Sequence, residues 1–222
     1  MVNGITIGEL CERFPVLYHM AQLGSWPSVE KHGLLSTSAL LDLFEVHDDE
    51  RFRIESRHRP ESITIEHAVH GRAVIRDQKP MSDRSVRKAL IGGLKPAEWY
   101  RELNSRVFFW LTEERLNTLM NARAYRDKRH MVLIVETRRL VERHEKGIML
   151  SAMNSGCTIP FPHKRGPMTF RRLAEYPYAA RKRTRDPIVE LAVDHSVPDI
   201  RDFVLEVREA GAGEGSETVW RR

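Results

Sequence analysis

The sequence predicts an α+β fold, with mixed, mainly antiparallel sheets and short helices. Three observations carry this expectation. Apolar runs with high strand propensity at 107–111, 131–135, 188–193 and 203–207 are scattered unevenly among short helical patterns, so the regular βαβ alternation of a doubly wound sheet is missing. No Gly-rich phosphate loop of either standard kind is present. No internal repeat points to a solenoid or propeller.

Taken in order, Ser25 stands before Trp26 and Pro27 with Gly33 as the stop, which predicts a short helix because Pro suits a first turn and Gly a left-handed exit. A second helix is expected from Ser38 to Glu45. Across 51–78, Ile63, Ile65 and 73–75 alternate weakly, as in paired edge strands with polar outer faces. Asp83 opens a helix closed by Gly92 and Gly93, and Pro96 starts another whose Trp99 and Leu103 share a face. The strand 107–111 runs into Thr112, a cap for a helix carrying Leu116, Leu119 and Met120 at core spacing. The continuous run 131–135 predicts a strand buried on both faces. The Gly/Ala/Glu/Ser stretch 211–216 is too poor in apolar groups to pack. One domain over 1–208 is therefore expected, with 209–222 a flexible C-terminal tail.

A length of 222 residues and a 41% hydrophobic content suffice for one core without a disulfide or a structural metal. The apolar runs fall far short of the roughly 20 residues that cross a bilayer, and the N-terminus lacks a secretory leader. With only Cys11 and Cys157 and no CxxC spacing, the expectation is a cytoplasmic chain with free thiols and no membrane partner. The balance of 36 Lys+Arg against 31 Asp+Glu, a formal +5, permits an anionic partner. Its densest run, Arg181, Lys182, Arg183 and Arg185, could meet the phosphates of a nucleic acid, or be a solvated loop.

Three features carry residues suited to chemistry. Leu17-Tyr18-His19-Met20 is strand-like and ends in an imidazole before a helix and Gly33-Leu34-Leu35-Ser36. Val107-Phe108-Phe109-Trp110 is an aromatic strand. Glu190 lies inside an apolar strand, where period-two geometry places it with Ile188 and Ala192, and a carboxylate there is costly without a partner. Each has a second reading: a satisfied structural histidine, a core-filling strand, a glutamate facing water. Further along, Asn154 could position a substrate and the planar fork of Arg165 could hold a phosphate, or both could sit in an ordinary surface loop. His67 and His70 lie in strand-like surroundings without a carboxylate partner, and no metal is expected.

Together and in this order, His19, the aromatic strand and Glu190 resemble the ADP-ribosyltransferase superfamily, nearest to DarT-like enzymes and related uncharacterised bacterial families. The likeness is clearest over 17–36, and Val197-Pro198-Asp199-Ile200 is similar to the group's closing strand and turn. The chain departs from the pattern at Ala21, where many relatives have Thr, and at Phe108, Phe109 and Trp110, where Tyr is common. The resemblance implies an ADP-ribosyltransferase-like fold with NAD as cosubstrate and no metal. Tyr18, His19, Gly33, Leu34 and an aromatic from 108–110 would line the NAD site. His19 would hydrogen-bond the adenosine ribose, and Glu190 would stabilise the charge that develops on the other ribose. It also implies ADP-ribosyl transfer to a nucleic-acid acceptor, DNA by likeness to the nearest enzymes, with an antitoxin as a possible partner. Two alternatives stay open: a noncatalytic nucleic-acid-binding module, and an NAD glycohydrolase with water as acceptor.

Overall fold

Residues 4–185, 187–213 and 215–222 are described in a computed structural model of the chain. In chain order, α1 (Ile7–Arg13) leads into β1 (Val16–Ala21), α2 (Trp26–His32), β2 (Leu34–Leu35), α3 (Thr37–Leu43) and α4 (Asp48–Glu55). The hairpin β3 (Ile63–His67) and β4 (Gly71–Ile75) precedes α5 (Asp83–Ala89), α6 (Pro96–Asn104) and β5 (Arg106–Trp110). Then follow α7 (Glu113–Met120), β6 (Arg129–Glu136), α8 (Thr137–His144), β7 (Ile148–Ser151) and α9 (Tyr178–Arg181). The chain closes with β8 (Glu190–Asp194), β9 (Ser196–Val197), β10 (Val204–Gly211) and β11 (Glu217–Arg221).

The class is α+β, as expected, and the main sheet is antiparallel throughout. Its seven strands run in the order β11-β10-β6-β1-β5-β8-β7. Two small pairs, β2 with β9 and β3 with β4, stand apart from it. β6 is buried on both faces because its side chains alternate between two cores. Met131, Leu133 and Val135 join Leu17 and Leu140, whereas Val132 and Ile134 meet Leu116 and Met120 of α7. The cap of α7 is the expected one, with the Arg115 amide donating to Thr112 Oγ1 at 3.3 Å.

Several boundaries differ for physical reasons. Ser25 makes no capping bond, and its buried hydroxyl has no partner among the described residues. Ser36 caps α3 instead, accepting from the Ala39 amide at 3.1 Å, so that helix starts one residue before Ser38. The stretch 51–78 opens within α4 before the hairpin forms. α1, α8 and β7 were not expected, although the capping box of Thr6 and Glu9 marks the start of α1.

The chain past Arg208, expected as a tail, carries strand residues. β10 runs on to Gly211, and β11 returns alongside it. Thr218 and Arg221 both donate to the carboxylate of Glu206, and Trp220 rests on Trp26 at 5.1 Å between ring centroids. In the apolar-poor stretch Gly211 ends β10 and Ala212 and Gly213 form a turn; Glu214 lies outside the described residues.

Gly33 holds the α2–β2 junction against the turn after β9. Its φ is +83°, and a Cβ there would stand 2.5 Å from the Pro198 Cα. Only glycine combines that conformation with so close an approach. The pairing Leu34↔Val197 and the bond from the Ser36 amide to the His195 carbonyl, 3.0 Å, extend the contact. The two segments that carry the resemblance at either end of the sequence are thereby neighbours in space.

Candidate functional site

β1 pairs with β6 along its whole length and β5 pairs with β8, but β1 and β5 share only the register pair Tyr18↔Trp110. Beyond that pair the two central strands part. A cavity of about 540 Å3 opens there, within the range of small-molecule and cofactor clefts. His19, Gly33, Leu34, Phe108, Asn154 and Glu190 all line it.

His19 bridges the parting strands, with Nδ1 2.8 Å from the Phe108 carbonyl oxygen. Burial, reinforced by the nearby Arg76 cation and opposed by the Phe108 bond, pushes the imidazole down to about 4. It is therefore neutral near pH 7. A carbonyl can only accept, so the proton sits on Nδ1 and Nε2 is left as the acceptor of a residue that lines the cavity. The Phe109 ring supports it at 5.7 Å between centroids.

Glu190 is the first residue of β8, opposite Trp110 on one side and Ser151 on the other. It is 4% exposed, yet accepts a 3.0 Å bond from the Ser155 amide. Burial pushes its carboxyl up to about 7, with Ser155, Arg165 and Arg115 acting in the opposite direction. A carboxyl poised near neutrality in a cleft is suited to electrostatic stabilisation and to proton transfer. Of its expected face-mates, Ala192 packs with the Trp99 cluster, but Ile188 precedes the strand and joins the main core. Alternation does not reach back past Glu190 because the strand begins there.

The aromatic strand divides by face. Phe109 is 1% exposed and fills the main core behind His19, while Phe108 and Trp110 are half-buried on the face of Ala192 and Glu190. Tyr18 shares the Trp110 face, packed with Val16 and Ile134 against α7, and does not line the cavity. Its placement in an NAD site is thus corrected, because its ring is taken up by packing against α7, outside the cavity lining.

Asn154 reaches the cavity, but Arg165 does not. The Arg165 guanidinium is 1% exposed and is spent on the carbonyls of Ser155, Cys157 (2.7 Å) and His163 (3.1 Å). Buried and off the cavity lining, it is out of a phosphate's reach, so its assignment as a phosphate ligand is corrected. The basic run lies off the cavity as well. Arg181 donates to the Pro187 carbonyl at 3.1 Å, Arg185 pairs with Glu114, and Lys182 and Arg183 are exposed. His67 closes β3 and His70 lies in its turn, their rings 4.7 Å apart. Among the described residues no group of three or more His, Cys, Asp or Glu is placed to hold a metal ion, and no helix is long and apolar enough to cross a membrane.

Sequence reasoning missed the cationic wall. Arg72 and Arg76 of the β3–β4 hairpin line the cavity. Arg76 donates to the Met20 carbonyl at 3.0 Å and stacks over Tyr125 at 5.2 Å, leaving further N–H groups without protein partners among the described residues. Nothing local marks these arginines, since the hairpin reaches the cleft only through tertiary packing. Ser155 was visible only as part of a polar loop.

The model of a family of unknown function, DUF7002, matches residues 15–204, and the chain belongs to that family. No curated protein and no solved structure matches it.

Proposed function

We propose that this member of the DUF7002 family is an NAD-dependent ADP-ribosyltransferase of ADP-ribosyltransferase-like fold, acting on a nucleic-acid acceptor. One observation carries the reading. His19 and Glu190, near opposite ends of the sequence, line a single cavity where β1 and β5 part. Their order around an aromatic strand is also the one through which the sequence resembles DarT-like enzymes.

The groups divide the work as the chemistry requires. Breaking the bond between ribose C1′ and the nicotinamide nitrogen sends the electron pair to nicotinamide and leaves oxocarbenium character on the ribose. Glu190, as the carboxylate, gains more interaction with that charge than with ground-state NAD, which is the condition for catalysis. An acceptor oxygen or nitrogen then bonds to C1′ and loses its proton, to Glu190 or to solvent. Phe108 or Trp110 offers a face for the cationic nicotinamide ring. Arg72 and Arg76 suit the diphosphate, and His19 Nε2 can accept from an adenosine ribose hydroxyl.

The test is nicotinamide release from NAD with separate DNA, RNA and protein acceptor pools, with mass spectrometry of each pool. Release together with an ADP-ribose adduct on nucleic acid is the expected result. Release with free ADP-ribose alone would replace transfer by hydrolysis. No release and no NAD binding, alongside salt-sensitive nucleic-acid binding, would overturn the enzyme reading in favour of a binding module.

A further inference from the structure

A buried cation whose every hydrogen bond goes to a backbone carbonyl, placed beside the one buried carboxylate of a cleft, has a function to account for. Arg165 is fixed at both ends. Its backbone amide donates to the Ala89 carbonyl at 2.9 Å, and its own carbonyl accepts from the Ile91 amide at 3.0 Å, which ties it to the segment after α5. Its guanidinium lies over the Trp99 ring, 5.9 Å from the centroid, and reaches back along its own loop to the carbonyls of Ser155, Cys157 and His163. Of these, Ser155 is decisive. Its carbonyl oxygen is held by Arg165 while its amide points at Glu190 Oε2, 3.0 Å away. The Ser155 residue is thus clamped between cation and carboxylate.

We propose that Arg165 is a positioning residue for Glu190, gathering three carbonyls of one loop so that the Ser155 amide is held against the Glu190 carboxylate. The geometry favours arginine over lysine here, because only a planar fork can meet three acceptors in fixed directions. The charged and titratable groups around the pair are Glu190 itself, Arg165, Arg115 of α7 and the Cys157 thiol. Arg165 therefore acts on Glu190 in two ways, through its charge and through the Ser155 bond, both favouring the carboxylate. The proposal takes Glu190 as the working carboxylate of the cleft, but its readout does not need turnover.

The experiment separates the two ways. In full-length protein labelled with 13C at glutamate carboxyls, the Glu190 resonance is identified by its loss in Glu190→Gln and titrated in wild type, Arg165→Lys and Arg165→Gln. Positioning predicts that Arg165→Lys, which keeps the charge but not the fork, raises the Glu190 midpoint by about one pH unit, a tenfold change in its ionisation constant. Arg165→Gln should raise it further, and the Ser155 amide proton should lose its downfield shift in both. A wild-type midpoint in a folded Arg165→Lys would overturn the proposal, leaving Arg165 as a charge alone or as loop packing. If neither variant folds, wild type decides, since a clamped Ser155 amide must titrate in step with the Glu190 carboxyl and one that does not overturns the idea. Failure of the ADP-ribosyltransferase reading looks different: absent nicotinamide release leaves these titrations untouched.

Discussion

His19 Nδ1 stands 2.8 Å from the Phe108 carbonyl oxygen, where the ladder between β1 and β5 would otherwise continue. The imidazole thus ties the two strands together with one nitrogen at the edge of the cavity it lines.

His19→Ala should weaken NAD binding about tenfold, the scale of one hydrogen bond with a partner left unsatisfied. Because burial holds the imidazole proton affinity down to about 4, His19 itself should add no pH dependence to the affinity from about pH 5.5 to 8, so any change there belongs to Glu190 and persists in His19→Ala. As pH falls through about 4, a proton arrives on Nε2, which can then no longer accept, and affinity should drop. Calorimetric titrations of both proteins over this range check the point, and equal affinities would remove His19 from the site.

Glu190→Gln keeps the shape and the Ser155 bond but loses the charge, so nicotinamide release should fall roughly a hundredfold, about 3 kcal/mol of transition-state stabilisation. In wild type the rate should climb through about pH 7, where the carboxyl ionises, and level off above it. Gln has no such limb. A variant matching wild type in rate and profile would end the catalytic assignment.

The same carboxyl bears on stability, with the sign set by its raised folded-state value. Between the ordinary 4.5 and about 7, the folded protein holds a proton that the unfolded chain has released. Wild type should therefore lose stability as pH rises through that window. Glu190→Gln should match wild type near pH 4 and exceed it above pH 7 by at most about 3 kcal/mol. Urea unfolding at both pH values tests this, and a variant less stable than wild type at pH 8 would contradict it.

Much of the fold was legible wherever local chemistry and tertiary packing agree. The run 131–135 announced a strand buried on both faces, and Thr112 announced its helix, because neither depends on distant residues. Glu190 stood out because a carboxylate among branched apolar residues needs a partner; the partner, the Ser155 amide, was invisible because backbone amides carry no sequence signature. Arg72 and Arg76 face the cleft only through hairpin docking, so nothing in their neighbours marks them. Arg165 misled for a related reason: a guanidinium fork that fits phosphate fits three carbonyls equally well, and only the folded loop decides between them.

Gly33→Ala should be destabilising out of proportion to one methyl group. The φ of +83° disfavours any side chain, and the new Cβ would be driven into Pro198 backbone at 2.5 Å, where no flexible side-chain end can yield. A loss of more than about 2 kcal/mol is expected, or about 4–8 °C in melting temperature for a chain of this size. Gly24→Ala is the control. It also has positive φ, +75°, but nothing lies within 4 Å, so strain alone should cost less. Equal losses for the two would show that the Pro198 approach adds nothing.

The basic run divides into structural and solvent-facing cations, which sharpens its test as a nucleic-acid surface. Arg181 donates to the Pro187 carbonyl, which also accepts from the buried Tyr176 hydroxyl, so replacing it would disturb the approach to β8. Lys182, Arg183 and Arg185 are exposed, and the Arg185 pair with Glu114 is a surface ion pair of a kind that adds little to stability. Changing these three to Gln should leave the melting temperature within about 3–6 °C even if their costs add, since surface substitutions each stay near 0.5 kcal/mol. If they meet phosphates, each cation that neutralises a phosphate releases a counterion on binding. Without the three, the salt dependence of nucleic-acid binding should flatten by up to about 3 in log–log slope. NAD binding should be unchanged, because none of the three lines the cavity. Fluorescence anisotropy with a labelled oligonucleotide across a salt series gives the slope directly. An unaltered slope with unaltered affinity would place acceptor recognition elsewhere on the surface, while a flattened slope with intact NAD binding would separate the acceptor surface from the cleft.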